Sequence, residues 1–229
     1  AWNGNYLAEN NAIGDYVFDF NSDYVTLNSS ISLTGNRTVS FWIKPESLNG
    51  NIYIGGSGTD NRYPYITSTA FWLKDSTGAV STAINISVNN WYHFCVTGDG
   101  TTASVYINGD FISTMTDKSP TLNTIGADAG GGGAVNSRFS NVQIFNTSLS
   151  GTEVETLYNY GSPIQTLANI PQSSNLKAWY KLDASEIYNS STTEWEVNQA
   201  QAPYQNSVFC PNVSGQTVTD YLQVSNYSG

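Results

Sequence analysis

Apolar and polar residues alternate along most of this chain in short runs rich in aromatic and β-branched side chains, broken by Asn, Asp, Gly and Ser. A period of two with breaks of that kind predicts β-strands joined by turns. Tyr16–Phe20 and Tyr24–Leu27 flank an Asn21-Ser22-Asp23 turn. Thr38–Lys44 alternates and stops at Pro45, as a strand leaving a sheet does. Ile52–Ile54, Ala70–Lys74 and Ala79–Ile84 are shorter strands, and Trp91–Thr97 is a strong one closed by Gly98-Asp99-Gly100. The sharpest local signal is Asn108-Gly109 between two alternating runs, 103–107 and 110–115. That dipeptide favours a type I′ hairpin, because both central residues need positive φ. A long strand follows at about 137–146.

One helix interrupts the strands. Ser150-Gly151-Thr152-Glu153 has the form of a capping box, Val154, Leu157 and Tyr158 share a face, and Gly161 with Pro163 ends the run. Residues 162–174 read as a linker, and Leu176–Asp183 as a further strand. The pattern predicts an all-β, antiparallel two-sheet sandwich with one short helix on its edge.

Composition narrows the function classes. The 229 residues carry 8 Lys+Arg against 18 Asp+Glu, a formal net charge of -10, and only 11% of residues are charged. Nothing here neutralises a run of phosphates, which excludes nucleic acid and disfavours an anionic membrane surface. At 39% hydrophobic and 13% aromatic the chain has ample material for a core. No apolar run reaches the length of a membrane span, and residues 1–5 have no signal-peptide pattern, so the expectation is a mature product or a chain that travels without a signal. Cys95 and Cys210 match no metal spacing and read as buried free thiols, with a disulfide left open. Seven glycosylation sequons begin at Asn28, Asn36, Asn85, Asn146, Asn189, Asn212 and Asn226. A chain this rich in Asn, Ser and Thr produces about that many by chance, so they carry no weight.

The blocks YVFDFNSDYVTL (16–27), TVSFWIKP (38–45), NNWYHFCVTGDG (89–100), ASVYINGDFIS (103–113) and FSNVQIFNTSLSGTEVETLYNYG (139–161), in this order, resemble the laminin-G-like members of the concanavalin A-like lectin/glucanase superfamily. The resemblance implies a two-sheet jelly roll. One departure is Ser140-Asn141, where such domains often carry Gly after the Phe. Domains of this kind normally open with a strand like Leu176–Asp183, then a Trp-containing loop, whereas this chain begins inside that loop. The tail repeats the opening: LKAWYKLDAS, then Glu194-Trp195-Glu196, then Val218–Val224 echoing 22–27. The expected organisation is therefore a sandwich over 1–161 lacking its usual first strand, a linker over 162–174, and over 175–229 either a partial second repeat or a strand-donating tail. Residues 176–183 are expected to fill the vacant edge, from the same chain or from a neighbouring subunit.

The chemistry-bearing residues are few. Glucanase relatives of the fold use a strand of alternating carboxylates, of the Glu-x-Asp-x-Glu type, and this sequence has none. Glu153/Glu155 lie on the helix, and Glu194/Glu196 lack a third carboxylate, so both pairs read as solvated rim. His93 is the only histidine, which excludes a His-rich metal site, and it reads as a structural histidine under a sheet, on one face with Trp91 and Cys95. Gly55-Gly56-Ser57-Gly58 reads as a flexible turn, and Gly130–Gly133 as a mobile loop. No catalytic residue is assigned.

Two binding sites are raised. Asp19, Asn21 and Asp23 place oxygen side chains at alternate positions around a turn, as calcium loops begin, although turn chemistry alone explains the same residues. Calcium is the one cofactor the sequence suggests. Tyr53, Tyr63, Tyr65 and Trp72 fall in a region broken by Gly, Asn and Pro, where a rim of aromatic faces would stack on pyranose rings. The first functional expectation is a non-catalytic structural or adhesive module of an extracellular or viral assembly, of the kind phages carry on tails and capsids. Its partners would be its own copies or other structural subunits, and a cell-surface glycan. A soluble carbohydrate-binding lectin domain is the alternative, and a glycoside hydrolase the weakest reading.

Overall fold

The computed structural model describes residues 7–10, 15–20, 24–58, 61–128, 136–164, 166–181, 187–189, 194–196 and 221–225. In chain order the strands are β1 (Leu7–Asn10), β2 (Asp15–Phe20), β3 (Tyr24–Ser32), β4 (Arg37–Pro45), β5 (Ile52–Tyr53) and β6 (Gly55–Gly58). Then come β7 (Asn61–Ile66), β8 (Ala70–Asp75), β9 (Gly78–Ala83), β10 (Tyr92–Gly98), β11 (Thr102–Ile107) and β12 (Asp110–Thr116). Strands β13 (Thr121–Ile125) and β14 (Ser137–Phe145) precede the helix α1 (Gly151–Tyr158), and β15 (Leu176–Tyr180), β16 (Ile187–Asn189), β17 (Glu194–Glu196) and β18 (Tyr221–Ser225) follow it.

Every strand pairing is antiparallel, and the strands form two sheets. The first has the order β1-β2-β14-β4-β10-β11-β12, with β15 also on β14. The second has the order β16-β17-β18-β3-β13-β6-β7-β8-β9, with β5 also on β7. Strands β2 and β3 therefore do not pair with each other; the chain changes sheets between them. Alternation explains the core. Val39, Phe41, Ile43, Phe94, Val96 and Val105 point inward from one sheet, and Val25, Leu27, Ile66, Phe71 and Leu73 from the other. Phe94 is the hinge of this packing, stacked on Phe41 of its own sheet and on Phe71 across the core, each at 5.6 Å.

A third layer covers the outer face of the first sheet. Cys95, Phe145, Leu176 and Trp179 face outward and pack under Leu149, Val154, Leu157, Ile164 and Ile170. The segment 162–174, read from sequence as a linker, is thus part of a second core: its polar composition hid Ile164 and Ile170, which are buried. Gln172 also donates to Glu153 Oε1 at 2.7 Å, tying the segment to the helix. Cys95 is a buried free thiol, with its pKa pushed up by burial. Cys210 and the Gly130–Gly133 loop lie outside the described residues.

Gly55–Gly58 is a strand and not a flexible turn. It sits between β13 and β7, and a Cβ at Gly55 would lie 2.6 Å from the Thr124 carbonyl oxygen, so glycine there serves close backbone approach. The tail joins the same two sheets as the rest of the chain. β15 pairs with Val142–Phe145 of β14, while β2 pairs with Ser137–Phe139 farther along the same strand. β18 pairs with β3. Within this chain, then, residues 176–180 pair alongside β14.

Candidate functional site

The Asn108-Gly109 turn forms as its sequence requires, with φ of 54° and 84°. Asn108 does more than turn the chain: its side-chain Oδ1 accepts the His93 N–H at 2.9 Å, and its backbone N–H donates to the His93 carbonyl at 2.8 Å. The hairpin tip is thereby clamped to β10. On the other side α1 begins at its capping box, where Ser150 Oγ accepts the Glu153 N–H at 3.3 Å and Glu153 Oε2 accepts the Ser150 N–H at 2.8 Å. The Glu153 carboxyl is held below the usual range, first by the Gln172 hydrogen bond and then by the Ser150 N–H.

Between hairpin and helix lies a cleft of about 760 Å³, lined by Tyr106, Asn108, Gly109, Asp110, Phe111, Gly151, Thr152, Glu155, Tyr158 and Tyr160. Tyr106 and Phe111 meet edge to face, with centroids 5.6 Å apart and planes at 70°. Tyr158 stacks on Trp42 at 5.8 Å and on His93 at 6.0 Å, which fixes its ring. Phe111 is 57% exposed and Tyr160 is 96% exposed. Asn159 closes α1 in the left-handed region, and Tyr160 follows with φ 55° and ψ 33°, also left-handed. For a bulky aromatic residue that backbone is strained. This combination of apolar rings, neutral polar groups and carboxylates suits a ligand with both apolar faces and hydroxyl or amine groups.

Beneath the cleft, Ser40 Oγ and His93 Nε2 are 2.7 Å apart, and both residues are fully buried. Burial lowers the His93 pKa to about 3. His93 Nδ1, which a catalytic triad would direct at a carboxylate, has no hydrogen-bond partner among the described residues. Ser40 and His93 thus form a buried pair, with the His93 ring packed against Trp42 and Tyr158.

The four aromatic residues singled out in the sequence divide. Tyr53, Tyr65 and Trp72 stand in register across β5, β7 and β8, with Tyr53 and Tyr65 centroids at 5.7 Å and Tyr65 stacked on Trp72 at 5.6 Å and 9°. Tyr53 is buried and its hydroxyl accepts from Asn51 Nδ2 at 2.8 Å. The row spends ring faces on itself. Tyr63 is not at a rim at all: it is fully buried in the main core, under the Arg37 guanidinium at 5.3 Å, with its hydroxyl pKa raised by burial. Alternation over Asn61–Ile66 does not reveal this, because the strand's register is irregular between Arg62 and Tyr65.

Of the suggested calcium ligands, Asp19 alone lies among the described residues. Asp19 lies on β2, and Asn21 and Asp23 lie outside the described residues. Among the described residues no group of three His, Cys, Asp or Glu side chains is placed to hold a metal ion. Asp99 instead closes its own turn, accepting the Thr101 and Thr102 N–H groups at 2.7 Å each. The cleft itself was missed from sequence. The available signals were an exposed Phe111 two residues past Asn-Gly and a Tyr160 just before the helix-ending Gly161; neither says that the two segments meet.

A family model described as the Concanavalin A-like lectin/glucanases superfamily matches residues 19–155. No curated protein sequence matches. Among solved structures, a proposed carbohydrate binding protein from Bacteroides ovatus is similar with a TM-score of 0.65 at 14% identity, covering 90% of this chain and 57% of that one. The binding domain of Paraclostridial Mosquitocidal Protein 1 is similar with a TM-score of 0.50 at 17% identity, covering 68% of this chain and 46% of that one. The chain thus spans about half the length of these structures, and at such identities the likeness is one of fold.

Proposed function

Starting from a chain that belongs to the concanavalin A-like lectin/glucanase superfamily, we propose that it is a non-catalytic, lectin-like module that holds a glycan in the cleft between the β11–β12 hairpin and α1. One observation carries this reading: two aromatic rings, Phe111 and Tyr160, are exposed at a single cleft of about 760 Å³ that also presents Asn108, Thr152 and two carboxylates. Sugars offer an apolar ring face and hydroxyl groups at the edge, and this lining answers both. The similar Bacteroides ovatus structure, itself a proposed carbohydrate binding protein, supports the reading. No helix among the described residues is long and apolar enough to cross a membrane, and the setting we propose is an extracellular or virion surface.

The test is a glycan array probed with the full chain, followed by calorimetry on any binder. Binding that is lost in Phe111→Ala and in Tyr160→Ala supports the assignment. An array with no binder overturns it. Hydrolysis of a β-glucan by the purified chain would overturn the non-catalytic part alone.

A role in assembly is the second reading. Strand β12 ends the described part of its sheet with Phe111 and Ile112 exposed, an edge suited to strand addition by a structural subunit. Particles or fibres of the native source seen by negative-stain microscopy, with this chain in them, would support it.

A further inference from the structure

The charge of the cleft selects among glycans. Of the residues that line it, only Asp110 and Glu155 are charged; both are acidic and exposed, and no Lys or Arg joins them. Tyr106 and Phe111 meet edge to face with centroids 5.6 Å apart, so they form one wall with no room between the rings, and Phe111 stays 57% exposed. Tyr158, fixed by Trp42 and His93, and Tyr160 add two further rings. The exposed faces of Phe111 and Tyr160, with carboxylates on the same cleft, attract an organic cation through the ring quadrupoles and through direct charge. The opposing influence is the start of α1, whose free N–H groups favour anions. Here that end is already answered: the Ser150 and Glu153 side chains satisfy amides of the first turn, and Glu153 brings a carboxylate to it.

We infer that the cleft takes a glycan bearing a free, protonated amino group, with the ammonium seated between the exposed rings and the carboxylates of Asp110 and Glu155. This inference rests on the glycan reading above and adds the chemical class of the sugar.

Three β-1,4-linked tetrasaccharides that differ at C2 test it: tetra-glucosamine with a free amine, tetra-N-acetylglucosamine with a neutral amide, and cellotetraose with a hydroxyl. Each is titrated into the full chain by calorimetry, at a pH where the amine is protonated. The free-amine sugar is expected to bind about tenfold more tightly than the other two, the range of one ring–cation contact. Added salt should shrink that advantage, because the carboxylates are at the surface. In the double variant Asp110→Asn with Glu155→Gln, which changes only exposed side chains, the advantage should fall to near parity while the melting temperature stays put. Equal or tighter binding of either neutral sugar overturns the charge inference and leaves the glycan reading standing. A preference that survives in the double variant overturns the assigned residues. No binding of any of the three, with only neutral binders on the array, also overturns the inference; an array with no binders removes both readings.

Discussion

The indole N–H of Trp179 donates to Oδ1 of Asn141 at 2.9 Å, and both residues are buried. Asn141 sits on β14 at φ 50°, where the strand's pairing with β4 skips from Ser140 to Gln143. That bulge shifts the alternation, so Phe139 and Val142 both reach the main core although they are three residues apart. Trp179 comes from β15, so the bond fixes the tail strand to the irregular point of the strand it borders. Asn tolerates left-handed backbone better than most residues, which suits it to this position.

Two variants separate the roles of Asn141. Asn141→Ala strains the backbone and removes the side-chain bonds to Trp179 and Ser140, and should cost about 2–4 kcal/mol. Asn141→Gly relieves the backbone and removes the side-chain bonds to Trp179 and Ser140, and should cost about 1–3 kcal/mol. Urea unfolding measures both, and the order Ala worse than Gly is the expected outcome.

Acid should weaken the fold through His93. Its folded pKa of about 3 lies below the ordinary 6.5, so between these values the unfolded chain binds more protons than the native one. Stability is then full above about pH 6.5 and declines as pH falls toward 3. His93→Gln keeps a polar partner for Ser40 Oγ but cannot titrate. Denaturation midpoints at pH 7, 5.5 and 4.5 should fall more steeply in the parent chain than in this variant.

A buried charge network closes one end of the sandwich. Arg37 pairs with Asp117 and donates to the Gly35 and Lys118 carbonyls, while Asp117 accepts the Gly100 and Lys118 N–H groups. Lys118 in turn reaches Thr77 Oγ1 at 2.9 Å and Asp75 at 3.5 Å. Asp117→Ala leaves Arg37 charged and unpaired, and should cost about 3–5 kcal/mol. Gly98 makes room for this carboxylate: a Cβ there would lie 2.2 Å from Asp117 Oδ2. Gly98→Ala should therefore destabilise by about 2 kcal/mol or more, since both groups are fixed. Thermal melts test both variants.

The cleft aromatics should behave oppositely. Tyr160→Ala removes a ring that is 96% exposed and relieves little packing, so stability should change by no more than about 0.5 kcal/mol. If the cleft binds sugar, the same change and Phe111→Ala should each weaken binding about tenfold or more. Parallel melts and titrations show whether affinity and stability separate in this way.

Strand order along the chain was legible because burial on one face writes a period of two into each strand. Thr38–Lys44, Ala70–Lys74, Trp91–Thr97 and the Asn108-Gly109 hairpin all form within a residue or two of their patterns. The capping box at Ser150 formed as well, because its partners are three residues apart. Local rules read local bonds.

By itself, then, the sequence determined the class of fold, most of the strands, the helix and a chain poor in positive charge. Tertiary structure decided which faces those strands present and what meets across them. It buried Tyr63 in the core, turned Gly55–Gly58 into a strand, packed Ile164 and Ile170 over the first sheet, and set Phe111 beside Tyr160 across a cleft. The physical reason is the same in each case. These outcomes depend on partners dozens of residues away, on a register shift or a close backbone approach, and alternation along one strand carries no record of what lies on the next.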